Sequence, residues 1–210
     1  MVQYQKAPVK GDTRNGSLLR ELPVLAIVSL AIALVVKSFV VQAFFIPSGS
    51  MRPTLVAGDR VLVEKLSQWT GDPARGDLIV FERELSPAQR ERADQPVLQD
   101  IENALKELFA LPTDGEQDLI KRVIGIGGDV VEARDGRVRV NGEPVEEPYL
   151  DEGVTTADFS PVDVPEGSLF VLGDNRGRSE DSRIFGAVET GKVVGIAFLL
   201  IWPPRDFRTL

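Results

Sequence analysis

Among its 210 residues the chain holds no histidine and no cysteine. Any nucleophilic chemistry it performs must therefore run without imidazole and without a thiolate. One stretch invites such chemistry, Pro47-Ser48-Gly49-Ser50-Met51-Arg52-Pro53-Thr54-Leu55, where a glycine-flanked serine stands a short way beyond an uncharged apolar run at 22–36. A serine hydroxyl is a weak nucleophile near neutral pH until a base takes its proton. With imidazole absent, the candidate bases are lysines and carboxylates. Lys121, in Asp118-Leu119-Ile120-Lys121-Arg122-Val123-Ile124, has the most suitable surroundings. On a strand, the two-residue period puts Leu119, Lys121 and Val123 on one face and Ile120, Arg122 and Ile124 on the other. Flanked by aliphatic side chains, a desolvated Lys121 amine has its pKa lowered from about 10.4 toward neutrality, where it serves as a general base. The other reading is an edge-strand lysine whose head reaches water, and the segment alone leaves both open.

A third polar cluster lies at 173–183, Gly173-Asp174-Asn175-Arg176-Gly177-Arg178-Ser179-Glu180-Asp181-Ser182-Arg183. It reads either as an Asx-turn surface loop or as the surround of a site, with Ser179 close to a lysine amine. The carboxylates show no metal-ligand spacing, and a chain without histidine lacks the commonest zinc ligand. Neither a metal nor a cofactor is expected. Gly125-x-x-Gly128 is no phosphate-binding signal, because no helical pattern follows it.

The elements that must position these residues begin with the apolar run. It holds 15 uncharged residues, short of the roughly 20 that a spanning helix needs. Leu18 and Leu19 extend it on one side, and Lys37 can snorkel to the interface on the other. A cleaved signal peptide is the competing reading, but Ile46-Pro47-Ser48 is a poor cleavage site. Lys6, Lys10, Arg14 and Arg20 precede the run and mark the cytoplasmic side. The expected organisation is a cytoplasmic tail at 1–21, a transmembrane helix at 22–38, and an extracytoplasmic domain at 39–210.

Short β-rich segments fill that domain. They are expected at 39–46, 60–64, 77–81, 128–133, 137–140, 168–172 and, as the last strand, 192–202. Asp135-Gly136 reads as a hairpin turn, with a further turn at Asn141-Gly142. Residues 83–118 differ, being acidic and lacking β-branched runs. Leu98, Ile101, Leu105, Leu108 and Phe109 recur there at helical spacing, so a small helical insertion is expected. The fold class is mostly β, with antiparallel sheets or a partly closed barrel. A net charge of −8 argues against nucleic acid as a partner.

Taken together, Ser48-Gly49-Ser50-Met51-x-Pro53-Thr54-Leu55 after an N-terminal span, Arg75-Gly76-Asp77-Leu78-Ile79-Val80-Phe81, Lys121-Arg122-Val123-Ile124-Gly125-x-x-Gly128-Asp129, and Gly173-Asp174-Asn175-Arg176-x-x-Ser179-x-Asp181-Ser182-Arg183 resemble bacterial type I signal peptidase. The resemblance implies a serine–lysine endopeptidase that removes signal peptides from exported preproteins. It places the enzyme in the bacterial cytoplasmic membrane, with membrane lipid as a partner and the catalytic domain on the outer face. By the same resemblance Ser50 is the nucleophile and Lys121 the general base. The Ser50 N–H and Ser48 hydroxyl form an oxyanion hole, and Ser179 orients the lysine. Asp181 and Arg183 brace their loop, supported by Asp174 and Arg122. Phe44, Ile46, Leu55, Val61, Val80, Leu119 and Ile120 shape shallow pockets for small substrate side chains. Leu119 stands where many relatives carry an aromatic residue, and Gly177-Arg178 replaces a more usual acidic–amide pair. The competing functions are a self-cleaving serine–lysine regulator, which would carry a DNA-binding N-terminus, and an inactive membrane-anchored binding domain, which would be expected to lose Ser50, Lys121 or Ser179.

Overall fold

The computed structural model describes residues 21–25, 27–29, 40–65, 71–82 and 118–210. The chain divides into two compact units, Met1–Phe39 and Val40–Leu210. In the first, the described residues 21–25 and 27–29 are helical, and Leu22, Val24, Leu25, Ile27 and Val28 are all exposed. No described helix is long and apolar enough to cross a membrane. Most of the span expected at 22–38, the tail apart from Glu21, and the insertion expected at 83–118, apart from Asp118, lie outside the described residues.

The second unit is mostly β, as expected, and its strands form two antiparallel sheets. The larger contains β1 (Val41–Phe45), β2 (Arg60–Glu64), β3 (Leu78–Glu82), β4 (Asp118–Ile126), β9 (Ser168–Leu172), β10 (Val188–Glu189), β11 (Val193–Trp202) and β12 (Arg208–Thr209). Its order is β1-β2-β11-β3-β4-β9-β10, with β12 paired to β11. The smaller sheet runs β7 (Glu143–Pro144), β6 (Arg137–Val140), β5 (Val130–Arg134), β8 (Phe159–Asp163). Asp135 and Gly136 both take positive φ, 55° and 78°, as the tight hairpin between β5 and β6 requires. Four strands, β7, β8, β10 and β12, have no counterpart among those expected. β8 carries Pro161, which cannot donate to a ladder, and it survives as an edge strand. The strand ending at Trp202 is not the last, because β12 folds back along it with register Leu199↔Thr209 and Leu200↔Arg208.

The large sheet is apolar on both faces, so its central strands feed separate cores by alternation. On β3, Leu78 and Val80 join a cluster with Phe44, Ile46, Met51 and Leu55. The intervening Ile79 and Phe81 join another with Val123 and Val171. On β9, Phe170 and Leu172 pack instead with Val131 and Val138 of the small sheet. Gly125 sits at a bulge of β4 where a Cβ would lie 2.5 Å from Val131, which accounts for the glycine that no phosphate motif required.

β4 matters most for the site. Its first half, from Asp118 to Arg122, pairs with β3, but β9 joins its other edge only from Arg122 onward. Residues 118–121 therefore lie at a strand edge that β9 leaves uncovered.

Candidate active site

Ser50 stands five positions beyond Phe45, the last residue of β1. Backbone bonds between Ile46 and Asp59 (2.9 Å) and between Gly58 and Ile46 (2.9 Å) hold the strand end. One helical turn then closes from Leu55 N–H to Met51 C=O (2.9 Å). Met51 and Leu55 are fully buried, so two apolar anchors seat the turn and leave Ser50 at its rim. The next loop seats it from the other side. Asn175 N–H donates to Ser50 C=O (3.0 Å), and Asn175 Nδ2 donates to Gly49 C=O (3.0 Å). Gly173 passes so near that a Cβ there would lie 2.6 Å from Ser50 O and 2.1 Å from Ser179 Oγ.

Lys121 is held by the register of β4 against Ile79 of β3. Its side chain is 2% exposed, which excludes the reading as a solvent-reaching edge lysine. Its Nζ donates to Ser50 Oγ at 2.9 Å and to Ile120 C=O at 2.9 Å. Ser48 Oγ donates to Ser50 Oγ at 3.3 Å. Among the described residues the Ser50 N–H has no hydrogen-bond acceptor. Three expected residues thus come together, with an unengaged backbone donor beside them.

Ser179 behaves differently from expectation. Its Oγ is buried and makes no hydrogen bond to the lysine amine, which donates to Ser50 Oγ and Ile120 C=O. The hydroxyl lies near Asp181 and contributes to keeping that carboxyl ionised, and its neighbour Gly173 places it beside the Ser50 backbone.

Ion pairs frame the cluster. Arg122 grips Asp174 with two bonds, 2.9 and 2.7 Å, and donates to Gly76 C=O at 2.8 Å. Its guanidinium lies 3.8 Å from the ring centroid of Tyr149. Thr54 donates to the same carboxylate, tying the nucleophile turn to it. Arg183 grips Asp181 at 2.8 and 2.7 Å, and Asp181 also accepts from Gly173 N–H at 3.0 Å. Burial alone would push the Asp181 carboxyl up, but the Arg183 guanidinium and the Gly173 N–H outweigh it and hold it below the ordinary range. Burial, and then Glu147, push the Tyr149 phenol up, so Tyr149 stays a neutral donor to Glu147 (2.9 Å).

A cleft opens in front of Ser50 and Lys121. Of the expected pocket residues, Phe44, Ile46, Val80, Leu119 and Ile120 line it, together with Phe45, Pro47 and Asp118. Leu55 and Val61 do not; both are wholly buried in the core beneath it. Sequence reasoning also passed over Asn175, Tyr149 and Glu147. Asn175 stood inside a recognised block, but Gly49, whose oxygen its side chain binds, is 126 positions away.

Comparison with known proteins makes the chain a serine endopeptidase. The family model for signal peptidase, peptidase S26, matches residues 19–202. Signal peptidase I of Mycobacterium tuberculosis (strain ATCC 25618 / H37Rv) is 39% identical over 218 residues, covering 90% of this chain and 74% of that protein. Signal peptidase I of Leptolyngbya laminosa is 39% identical over 175 residues, 83% of this chain and 75% of its own. That of Bacillus licheniformis is 31% identical over 212 residues, 95% and 96% of the two chains. The chain belongs to the signal peptidase family, peptidase S26. Its activity is that of a type I signal peptidase, the removal of signal peptides from secreted preproteins.

Proposed function

We propose that Ser50 is the nucleophile of this peptidase and Lys121 its general base. The observation that carries the reading is the 2.9 Å contact between Lys121 Nζ and Ser50 Oγ, made by a buried lysine in a chain without histidine. A buried ammonium is costly, whereas a neutral amine offers a lone pair. With the amine neutral the contact reverses, and the Ser50 hydroxyl donates to it.

Ser50 Oγ then attacks the scissile carbonyl as its proton passes to Lys121 Nζ. The negative oxygen of the tetrahedral intermediate is received by the Ser50 N–H and the Ser48 hydroxyl. Collapse breaks the C–N bond, and Lys121 returns the proton to the leaving amine, the new N-terminus of the mature protein. The signal peptide remains as an ester on Ser50. Water gives a proton to Lys121 and attacks that ester, freeing the signal peptide with a carboxylate end and restoring the Ser50 hydroxyl. Ser179, beside the Ser50 backbone, borders the space where this exchange occurs.

The substrate lies extended between the end of β1 and the uncovered edge of β4, completing the sheet with its own backbone. Phe44, Ile46, Val80, Leu119 and Ile120 bound the cleft and select small side chains there. The apolar N-terminal helix, whose side chains are all uncovered where described, anchors the enzyme in the cytoplasmic membrane with its tail inside. The catalytic domain then faces outward, where the anchor raises the local concentration of membrane-held substrate.

The test is cleavage of a preprotein by the purified full chain in detergent. Wild-type protein is expected to release the mature form, and Ser50→Ala and Lys121→Ala are expected to release none. Cleavage that persists in either variant sinks the dyad.

A further inference from the structure

We infer that Asn175 is a positioning residue for the reaction, acting by aiming the Ser50 N–H into the cleft. This rests on the proposed role of that N–H as an oxyanion donor. The peptide joining Gly49 to Ser50 is trans, since the two cis bonds in the described chain lie elsewhere. In a planar trans peptide the C=O and N–H point in opposite directions. Whatever grips the Gly49 oxygen therefore sets the direction of the Ser50 N–H.

Asn175 Nδ2 grips that oxygen at 3.0 Å. The amide can present only its nitrogen there, because the carbonyl accepts and does not donate. The turn's own bond to the same oxygen, from Arg52 N–H, is longer at 3.3 Å. One residue onward, Asn175 N–H holds Ser50 C=O at 3.0 Å. A single residue thus fixes the peptide planes on both sides of the nucleophile. Asn175 is itself held in place from several directions. Its neighbour Asp174 is locked by Arg122, and Arg176 Nε donates to Gly173 C=O at 3.1 Å while its guanidinium binds Thr156 and Glu147. A donor that must not reorganise as charge develops needs such fixing.

Asn175→Asp preserves size and the backbone N–H but replaces the gripping donor with an acceptor that faces a carbonyl. Asn175→Ala removes the grip alone. Each is compared with wild type in the full chain in detergent, using three measurements. These are kcat and KM on a signal-peptide-bearing substrate, the inhibition constant of a substrate-like peptide aldehyde, and the dissociation constant of the matching peptide amide. Addition of Ser50 Oγ to the aldehyde carbon places an oxygen in the anion site, whereas the amide binds the cleft without reacting.

The expected result is a fall in kcat of roughly tenfold to a hundredfold, below the loss seen when a donor itself is deleted. KM should stay within about twofold. Aldehyde affinity should fall by the same factor as kcat, while amide affinity is unchanged. Equal losses for aldehyde and amide would mean that Asn175 only shapes the cleft, and unchanged kcat in Asn175→Asp would mean that it aims nothing. Either overturns the inference. Should Asn175→Ala fail to fold, the near-isosteric Asn175→Asp carries the test. Cleavage by Ser50→Ala removes the dyad itself. An inactive Ser50→Ala beside a fully active Asn175→Asp removes this inference alone.

Discussion

Arg122 and Asp174 meet through two parallel hydrogen bonds, with the guanidinium side chain 8% exposed and the carboxylate fully buried. The pair stands one strand position beyond the candidate base and one loop position before Asn175, so it fastens β4 to the loop that clamps Ser50.

Breaking this pair should be costly. Asp174→Asn leaves a buried guanidinium without its counter-charge, a change worth about 3–5 kcal/mol of folding stability. Arg122→Lys should fall in the same direction, because an ammonium cannot reproduce the planar fork. Urea unfolding of both variants checks this, and wild-type midpoints would refute it.

Lys121→Met should separate activity from stability. Loss of the base is expected to lower kcat by at least about a thousandfold. A thioether chain of similar length fills the same space without a buried amine, so the melting temperature should hold or rise. Parallel assays of cleavage and thermal unfolding decide the matter; a collapse of the fold would show that the lysine is there for structure.

Asp181 predicts an acid limb of stability. Its folded pKa lies below the ordinary 3.8, so its ionised form contributes stability that is complete above the unfolded value. That contribution is lost as pH falls through the folded value. Asp181→Asn should therefore show a shallower loss of melting temperature than wild type as pH is lowered below about 5. Identical slopes would remove Asp181 from the account.

Gly173→Ala should disable the enzyme from a distance. The new Cβ would fall on Ser179 Oγ and Ser50 O, and overpacking of this kind costs about 1–3 kcal/mol. Because Ser50 O is backbone, relief must come partly from the nucleophile turn, so kcat is expected to fall even at temperatures where the variant is fully folded. A folded variant with wild-type kcat would contradict that.

Leu119→Ala tests the cleft. Leu119 lines it and is half-buried, so shortening it should admit larger side chains at the substrate positions that take small ones, with little change for alanine-bearing substrates. A panel of peptides varied at those positions reads this out, and an unchanged preference would move the selecting surface elsewhere.

Much of the architecture was legible in the chain because each central strand is a short apolar run between turn formers. β2 and β9 begin and end at the expected residues. β8 escaped notice because Pro161 weakens its pattern and its residues are largely exposed. The missing histidine and cysteine narrow the bases to lysines and carboxylates, and aliphatic flanks draw attention to Lys121, but its pairing with Ser50 comes from the family resemblance. Depth could not be read in the same way. The family resemblance implies Leu55 and Val61 as pocket residues, but they lie in the core a layer below. Nor could the grip of Asn175 on Gly49 be read, because it depends on where a late loop passes over an early turn. Ser179 shows the same limit at the scale of one hydroxyl, its neighbours known and its bonds not.

The bond from Arg208 Nη2 to Thr54 C=O joins the two ends of the domain across 154 positions. A ribosome delivers the chain from its N-terminus, so the serine emerges well before Lys121, before Asn175, and long before Arg208. A growing chain carries the hydroxyl with neither base nor clamp, and full assembly waits for the closing strand. The contact that ties the nucleophile turn to β12 is thus made only after every residue of the candidate site has been synthesised.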